Sequence, residues 1–301
     1  MSLDERIDGL INVCVNKAVR SSPYGMYPSK PGDGGDDCLW LGLLASVDAV
    51  NAKQGLLNCQ SANEHDRDGM FYRNPERRSN NNAEYGDNYF SRDMGLGALI
   101  GLATIPNEDS VYHFNKWVSY IRKEKYCLVQ NPITGGCIIH GHSLAPNKDR
   151  SFVNPNFWDY LNMFSQCHNN AITTIEMINC RGLADVANPF EAATCPHGYK
   201  LHLKALSAYY RYLLDERTDV AKNIGELCYN RSPKNLFFKI LAHGFASFHD
   251  ADEFLRISPD PATFEPQGYW VWEQEDVEGH LDKCCGWDMI FLGLLIKKWM
   301  R

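Results

Sequence analysis

The chain has 301 residues, of which 44% are hydrophobic and 22% are charged, and its formal net charge is −7. The hydrophobic content is ordinary for a globular protein with a sizeable core. The acidic balance disfavours a nucleic-acid partner, whose phosphates attract basic surfaces, and no apolar run reaches the roughly 18 residues of a membrane span, so we expect no membrane partner.

The chain begins with a segment that has the pattern of an amphipathic helix. Ile7, Leu10, Ile11 and Cys14 recur at the spacing of one helix face, and polar residues stand between them. The same spacing recurs in four later segments and more weakly in one, at 111–121, 172–175, 220–227, 251–257 and 50–59. These segments predict helices that cover a core with one face.

Six other segments are apolar almost throughout. They lie at 36–45, 91–102, 157–164, 199–214, 235–245 and 286–296. Their leucine, glycine and alanine content favours helices over strands, and a helix that is apolar on all sides is buried on all sides. The order of amphipathic and apolar segments therefore predicts an all-α protein, built as one domain over residues 1–301, in which outer helices alternate with inner ones.

The predicted loops are unequal in length. The long ones, at 21–35, 60–90, 125–155 and 258–286, all lead from an outer helix into an inner helix. In an alternating ring such loops emerge on one face, and loops of this length are usually functional. Within one of them, the sequence Gly135-Gly136 followed by His140-Gly141-His142 predicts a small β-hairpin on that face.

This alternation resembles the six-hairpin (α/α)6 toroid glycosidases and the related toroidal polysaccharide lyases. The resemblance is carried by the apolar helices and by the acidic residues that begin them, in Asp36-Asp37, Arg92-Asp93 and Trp287-Asp288. It implies a site that acts on an oligosaccharide or polysaccharide, in the mouth of the toroid where the inner helices begin.

Three aspartates share the same position relative to their predicted helices. Cleavage of a glycosidic bond requires one protonated carboxyl group and one carboxylate, and we expect Asp37, Asp93 and Asp288 to supply them. Arg92, beside Asp93, could keep that carboxylate ionised while another stays neutral. Each aspartate could instead be a helix N-cap, a position that Asp favours.

The same face is rich in side chains that could bind a sugar. Aromatic rings stack on sugar rings, and hydrogen-bonding groups bind the hydroxyl groups. We expect substrate contacts from Asp36, Tyr89, Arg92, His140, His142, Trp158, Trp270 and Trp287. The aromatic residues could instead be buried anchors for the loops. Two histidines on one strand could bind a metal, but no third ligand follows at a fixed spacing, so we expect neither a metal nor a cofactor.

Three functions fit this pattern. The first is a glycoside hydrolase that uses paired aspartates. The second is a polysaccharide lyase with a His or Tyr base and with Arg92 neutralising a uronate, although a net charge of −7 disfavours the basic groove of a lyase. The third is a noncatalytic glycan-binding protein. The sequence leaves the oligomeric state open.

The cysteines indicate the compartment. There are eleven, an odd number without the spacing of a disulfide framework, and several lie in apolar segments. Buried free cysteines behave as small hydrophobic residues and persist in reducing compartments. We therefore expect mostly unpaired cysteines and a cytoplasmic location, unless a leader has been removed from the start of the chain.

Overall fold

A computed structural model describes residues 2–22, 25–28, 36–62, 67–80, 90–145, 153–172 and 181–300. Over these residues the protein is mostly helical, which confirms the all-α prediction. No helix within the described ranges is both long and apolar enough to cross a membrane.

Most helices coincide with predicted segments, but Pro75–Ser79, inside the predicted loop at 60–90, and Arg181–Thr194 were not predicted. In chain order the helices are α1 Leu3–Ala18, α2 Asp37–Ser46, α3 Ala52–Leu57, α4 Pro75–Ser79, α5 Arg92–Leu102, α6 Asn107–Lys123, α7 Pro155–Cys167, α8 Arg181–Thr194, α9 Tyr199–Leu214, α10 Thr218–Arg231, α11 Leu236–His243, α12 Phe248–Ile257 and α13 Trp287–Trp299. Two short 3₁₀ turns, Val271–Glu273 and Glu278–Lys283, lie in the connection before α13.

Burial separates two kinds of helix, as the hydrophobic pattern predicts for α1, α2 and α5, but α9, predicted to be buried on all sides, has exposed residues such as Tyr199 and Lys200. Every residue of α2 is buried, and so is every residue of α5 from Met94 onward. In α1, by contrast, only the face made of Ile7, Leu10, Ile11, Cys14 and Ala18 is buried. The difference arises because α2 and α5 have neighbours on all sides, whereas α1 covers α12 and α13 from one side.

Small residues allow α2 and α5 to pack very closely. A Cβ atom on Gly42 would lie 1.8 Å from the backbone oxygen of Gly97, and one on Gly97 would lie 2.3 Å from Cα of Leu39. No larger residue fits at either position without moving a backbone. The glycines of these two apolar segments therefore set the distance between the helices.

The apolar helices contact one another in chain order. Helix α5 packs on α2 and α7, α9 packs on α7 and α11, and α2 also contacts α13, the last helix of the chain. The amphipathic helix α10 covers α8, α9 and α11. Between α2, α9, α11 and α13 the core is filled with aromatic rings, among them Trp40, which stacks on Trp270 with ring centroids 4.0 Å apart.

Within the described residues, two antiparallel β-hairpins accompany the helices. The predicted one consists of β3 Lys125–Gln130 and β4 Cys137–His142, and Gly135 in its turn has a φ of +70°. The other, β1 Val19–Ser22 with β2 Gly25–Pro28, is not predicted by the sequence, and most of it falls within the predicted loop at 21–35. Its strands have four residues each, too few for an alternating pattern to stand out in the sequence.

Helix α8 also differs from expectation. Residues 173–180, which include part of the predicted amphipathic segment at 172–175, lie outside the described part of the chain. The helix found next, α8, contains Pro189, and an interior proline removes a backbone hydrogen bond and argues against a helix. In this case packing against α7 and α10 outweighs that local preference.

Most of the described cysteines are buried thiols. Cys127 in β3 and Cys137 in β4 form a disulfide, so the hairpin departs from the expectation of unpaired cysteines. Among the described residues, six other cysteines are buried as free thiols: Cys14, Cys38, Cys59, Cys228, Cys284 and Cys285.

Candidate functional site

A cleft of about 610 Å³ lies where three apolar helices begin. Its walls are the first turns of α5, α7 and α9, together with the end of α8 and the side chain of Arg73. The volume is in the range of small-molecule sites. The cleft therefore lies at the N-terminal ends of three of the segments that the sequence marks as apolar.

Local sequence determines where these helices begin. Asn154 caps α7 by accepting the N–H of Phe157 at 3.0 Å, and Pro155 stands at the first helical position. Ser91 precedes α5 and Gly198 precedes α9, and neither makes a side-chain cap hydrogen bond. The positive ends of the α5 and α9 dipoles are thus left without a side-chain cap at the edge of the cleft.

Two carboxylates from different helices line the cleft. Asp93 in the first turn of α5 accepts a hydrogen bond from the hydroxyl of Ser91, and Glu191 projects from the last turn of α8. Glu191 pairs with the ammonium of Lys204 on α9 and also accepts the amide of Asn156 at 3.4 Å. Asp93 and Glu191 are the carboxylates among the described lining residues.

A hydrogen-bonded chain extends from this ion pair into the protein. Nζ of Lys204 lies 3.5 Å from Oδ1 of Asn188, and the same oxygen accepts the hydroxyl of Tyr160 at 3.1 Å. Asn188 is fully buried and Tyr160 is nearly so. Helices α7, α8 and α9 therefore fix the side chain of Lys204 and, through it, the carboxylate of Glu191.

An ion network lies further along the same three helices; Asp159 and Arg211 are fully buried in it, and Arg217 joins it from the position before α10. The guanidinium of Arg217 contacts both oxygens of Asp159 at 3.1 Å and pairs with Asp185, and Arg211 lies 3.6 Å from Asp159. Burial raises the pKa of Asp159, and the charge of Arg217 opposes that rise. Breaking a buried pair leaves an uncompensated charge, so this network holds α7, α8 and α9 in register.

Cationic side chains also line the cleft. Arg73, Arg92, Lys200 and Lys204 all reach it. Arg73 pairs with Asp36 at 3.2 Å, so the predicted binding residue Asp36 contacts a lining residue without itself lining the cleft. Arg92, one of the expected substrate contacts, lines the cleft.

The other two predicted catalytic aspartates are placed differently. Asp37 is buried and accepts the amide of Asn74 at 2.7 Å, and Asp288 is fully buried and accepts the backbone N–H groups of Val271 and Met289 at 2.7 and 3.0 Å. Burial raises the pKa of Asp288 to about 6. Neither lines the cleft, so of the three predicted aspartates the structure places only Asp93 there.

The predicted stacking surface requires a correction. Trp158, Trp270 and Trp287 are respectively 6%, 2% and 0% exposed. Trp158 meets the ring of His142, Trp270 stacks on Trp40, and the indole N–H of Trp287 donates to the backbone oxygen of Ala18. These rings serve as core packing because large aromatic side chains bury much apolar area. Tyr89 lies outside the described residues.

The two predicted histidines also lie away from the cleft lining. His140 is exposed on β4, and Nδ1 of His142 lies 3.1 Å from the backbone oxygen of Ile121. Over the described residues, no group of three His, Cys, Asp or Glu side chains could hold a metal ion.

Several lining residues were not predicted from the sequence. Glu191 lies on the unpredicted helix α8, and Lys200 and Lys204 lie on α9. A signal for the lysines was present: Lys200, Lys204, Ser207 and Arg211 form a polar stripe at helical spacing along an otherwise apolar segment. No comparable signal identified Glu191.

Comparison of the chain with protein families, characterised proteins and solved structures finds no match. The proposal for function therefore rests on the geometry and chemistry of the cleft.

Proposed function

We propose that the protein is a carbohydrate-active enzyme, a glycoside hydrolase, which cleaves an oligosaccharide or polysaccharide in the cleft at the N-terminal ends of α5, α7 and α9. The observation that carries this proposal is the pair of carboxylates, Asp93 and Glu191, which reach one cleft from different helices. Paired carboxyl groups across a groove are the machinery that hydrolysis of a glycosidic bond requires.

The two carboxylates have different surroundings, which supports different roles. Glu191 pairs with the ammonium of Lys204, so we assign it the part of the ionised base or nucleophile. Within the described part of the chain no cation pairs with Asp93, not even the neighbouring Arg92 that the sequence suggested, so we assign Asp93 the remaining part, that of the proton donor to the leaving oxygen. In this proposal Asp93 keeps its predicted catalytic role, and Glu191 takes the place of Asp37 and Asp288.

The proposal includes the (α/α)6 toroid as the architecture. Its support is the contact of α2 with α5, of α5 with α7, of α7 with α9 and of α9 with α11, together with the contact of α13 with α2. Amphipathic helices cover this series from outside, as α1 covers α13. A cleft at the beginnings of the apolar helices fits the site of such a toroid.

The experiment is a screen of neutral and acidic polysaccharides for release of reducing ends, with the wild-type protein and the Asp93→Asn variant. We expect the wild type to cleave at least one of them, and Asp93→Asn to lower the rate at least about 100-fold, which is the effect of a lost acid–base group. A matched control is Glu226→Gln, because Glu226 is an exposed carboxylate on α10 outside the cleft. Equal rates for Asp93→Asn and the wild type would remove Asp93 from the mechanism.

A polysaccharide lyase is a second candidate, and the cleft lining favours it. Tyr199, 57% exposed, reaches the cleft beside Lys200, and Arg92 lies on the facing helix. Tyr199 could abstract the proton from the carbon next to a uronate carboxyl group, while Arg92 and Lys200 neutralise the charge of that carboxyl group. A lyase would leave a 4,5-unsaturated sugar that absorbs ultraviolet light, whereas a hydrolase leaves none. Binding without cleavage would instead favour a noncatalytic glycan-binding protein.

For the compartment we propose the cytoplasm. The support is the set of buried free thiols, which persist in a reducing environment, and the disulfide between Cys127 and Cys137 is the opposing observation.

A further inference from the structure

The charge of the cleft differs from that of the chain. The chain carries a formal net charge of −7, whereas the described lining has four cationic side chains and two carboxylates. A cleft in which charges of one sign are in excess attracts ligands of the opposite sign. The cleft is therefore a positive site on an acidic protein.

Two of the four cations are already engaged within the protein. Arg73 pairs with Asp36, and Lys204 pairs with Glu191. The other two, Arg92 and Lys200, are exposed, and within the described part of the chain neither forms an ion pair. Their charge is therefore available to a ligand.

Arg92 and Lys200 stand in the first turns of two long helices that contact each other. Arg92 is the first residue of α5, and Lys200 is the second residue of α9. Both helices lack a side-chain cap at this end, so their first backbone N–H groups add partial positive charge next to the two side chains. The same edge of the cleft thus carries the positive charges of Arg92 and Lys200 and the first backbone N–H donors of both helices.

We propose that the cleft selects a glycan that carries a carboxylate, a uronic acid residue, and that Arg92 and Lys200 bind this carboxylate. The proposal rests on the proposed function, since it names the substrate class of the same site. The planar guanidinium of Arg92 matches the two oxygens of a carboxylate, and the ammonium of Lys200 supplies a second charge. The sugar is thereby placed between Asp93 on α5 and Glu191 on α8.

The test is equilibrium binding of uronic acid oligomers by calorimetry. The probes are oligomers of galacturonate, glucuronate and mannuronate, each with its methyl ester, in which the charge is absent and the sugar is unchanged. We expect an acid oligomer to bind and its ester to bind at least about 10-fold more weakly, in line with the strength of hydrogen bonds to charged groups. Affinity for the acid falls as salt is raised.

Variants of the two cationic residues test where the carboxylate of the ligand binds. Lys200→Gln and Arg92→Gln each weaken binding of the acid by about 10-fold and leave binding of the ester unchanged. Lys222→Gln is the matched control, because Lys222 is an exposed lysine on α10 outside the cleft, and it leaves both affinities unchanged. Binding of sulfated oligosaccharides is measured as well. If these bind more tightly than every uronate, the proposal that Arg92 and Lys200 bind a carboxylate is overturned.

Failure of this inference is distinguishable from failure of the proposed function. If neutral glycans are cleaved and no uronate binds better than its ester, the inference is overturned and the hydrolase stands. If uronates bind through Lys200 but no glycan is cleaved, the hydrolase fails and the binding specificity stands. Absence of binding by every acidic oligomer overturns the inference.

Discussion

The ammonium of Lys204 on α9 contacts the carboxylate of Glu191 on α8 and also lies 3.5 Å from Oδ1 of Asn188. Because Asn188 is fully buried, this contact holds the long side chain of Lys204 in one position at the cleft wall. The geometry makes Lys204 a positioning residue for Glu191.

We expect Lys204→Met to lower kcat for glycan cleavage by about 10-fold to 100-fold, because Glu191 then loses its charged partner and its fixed position. Lys204→Arg keeps the charge, so it should restore most of the rate. Steady-state kinetics on a glycan that the wild type cleaves checks this. An unchanged kcat in Lys204→Met, or no difference between the two variants, would contradict a positioning role.

A second prediction concerns the contact of α2 with α5. In Gly97→Ala the new Cβ meets the backbone of Leu39, which cannot move as a side chain can, so the free energy of unfolding should fall by about 3 kcal/mol. Gly9 on α1 is the matched control: no atom lies within 4 Å of its added Cβ, so Gly9→Ala should stabilise the protein by about 0.5–1 kcal/mol. Urea unfolding measures both changes. A tolerated Gly97→Ala would mean that α2 and α5 lie farther apart.

The sequence predicts most of the helices because its hydrophobic residues recur with the spacing of helices. Glycines such as Gly42 and Gly97 within leucine-rich segments indicate close helix packing, and one face of apolar residues indicates α1 and α6. It does not predict α8, because Pro189 argues locally against a helix and only tertiary packing favours one. Residues that depend on α8, above all Glu191, were for that reason missed.

The sequence cannot distinguish the three aspartates that begin apolar helices. Asp37, Asp93 and Asp288 have similar neighbours along the chain, yet Asp288 is enclosed by the connection that contains Val271, and Asp37 is held by Asn74. These partners lie 17 and 37 residues away along the chain. Only the path of the loops decides which aspartate faces the cleft.

Asp288 gives a prediction on pH. Burial raises its pKa from 3.8 to about 6, so the folded protein binds this proton more tightly than the unfolded chain does between about pH 4 and pH 6. The stability contributed by this protonation is present below about pH 4 and is lost as the pH rises through about 6. The difference in pKa corresponds to about 3 kcal/mol.

Asp288→Asn removes this titration. Relative to the wild type, we expect the variant to gain up to about 3 kcal/mol between pH 4 and pH 7, on top of a constant offset from altered hydrogen bonds. Urea unfolding at several pH values gives the difference. Asp252→Asn, which changes an exposed carboxylate on α12, serves as the control. A stability difference that does not vary with pH would show that Asp288 titrates normally.

A further prediction concerns the thiols. Burial raises the pKa of Cys14 and of Cys228 to about 12, so both should react slowly with a thiol reagent in the folded protein. After unfolding without a reductant, we expect at least the six buried thiols to react. Cys127 and Cys137 should react only once a reductant is added. Mass spectrometry of the labelled peptides distinguishes these groups, and a buried cysteine that needs reduction would reveal a second disulfide.

The central claim is that Asp93 and Glu191 form the catalytic pair, and kcat/KM of Glu191→Gln tests it most directly. The change keeps the size of the side chain and its hydrogen bond with Asn156 but removes the charge. With a glycan that the wild type cleaves, we predict a fall in kcat/KM of at least about 100-fold, with a melting temperature close to that of the wild type. A Glu191→Gln protein that cleaves this glycan at the wild-type rate would contradict the claim.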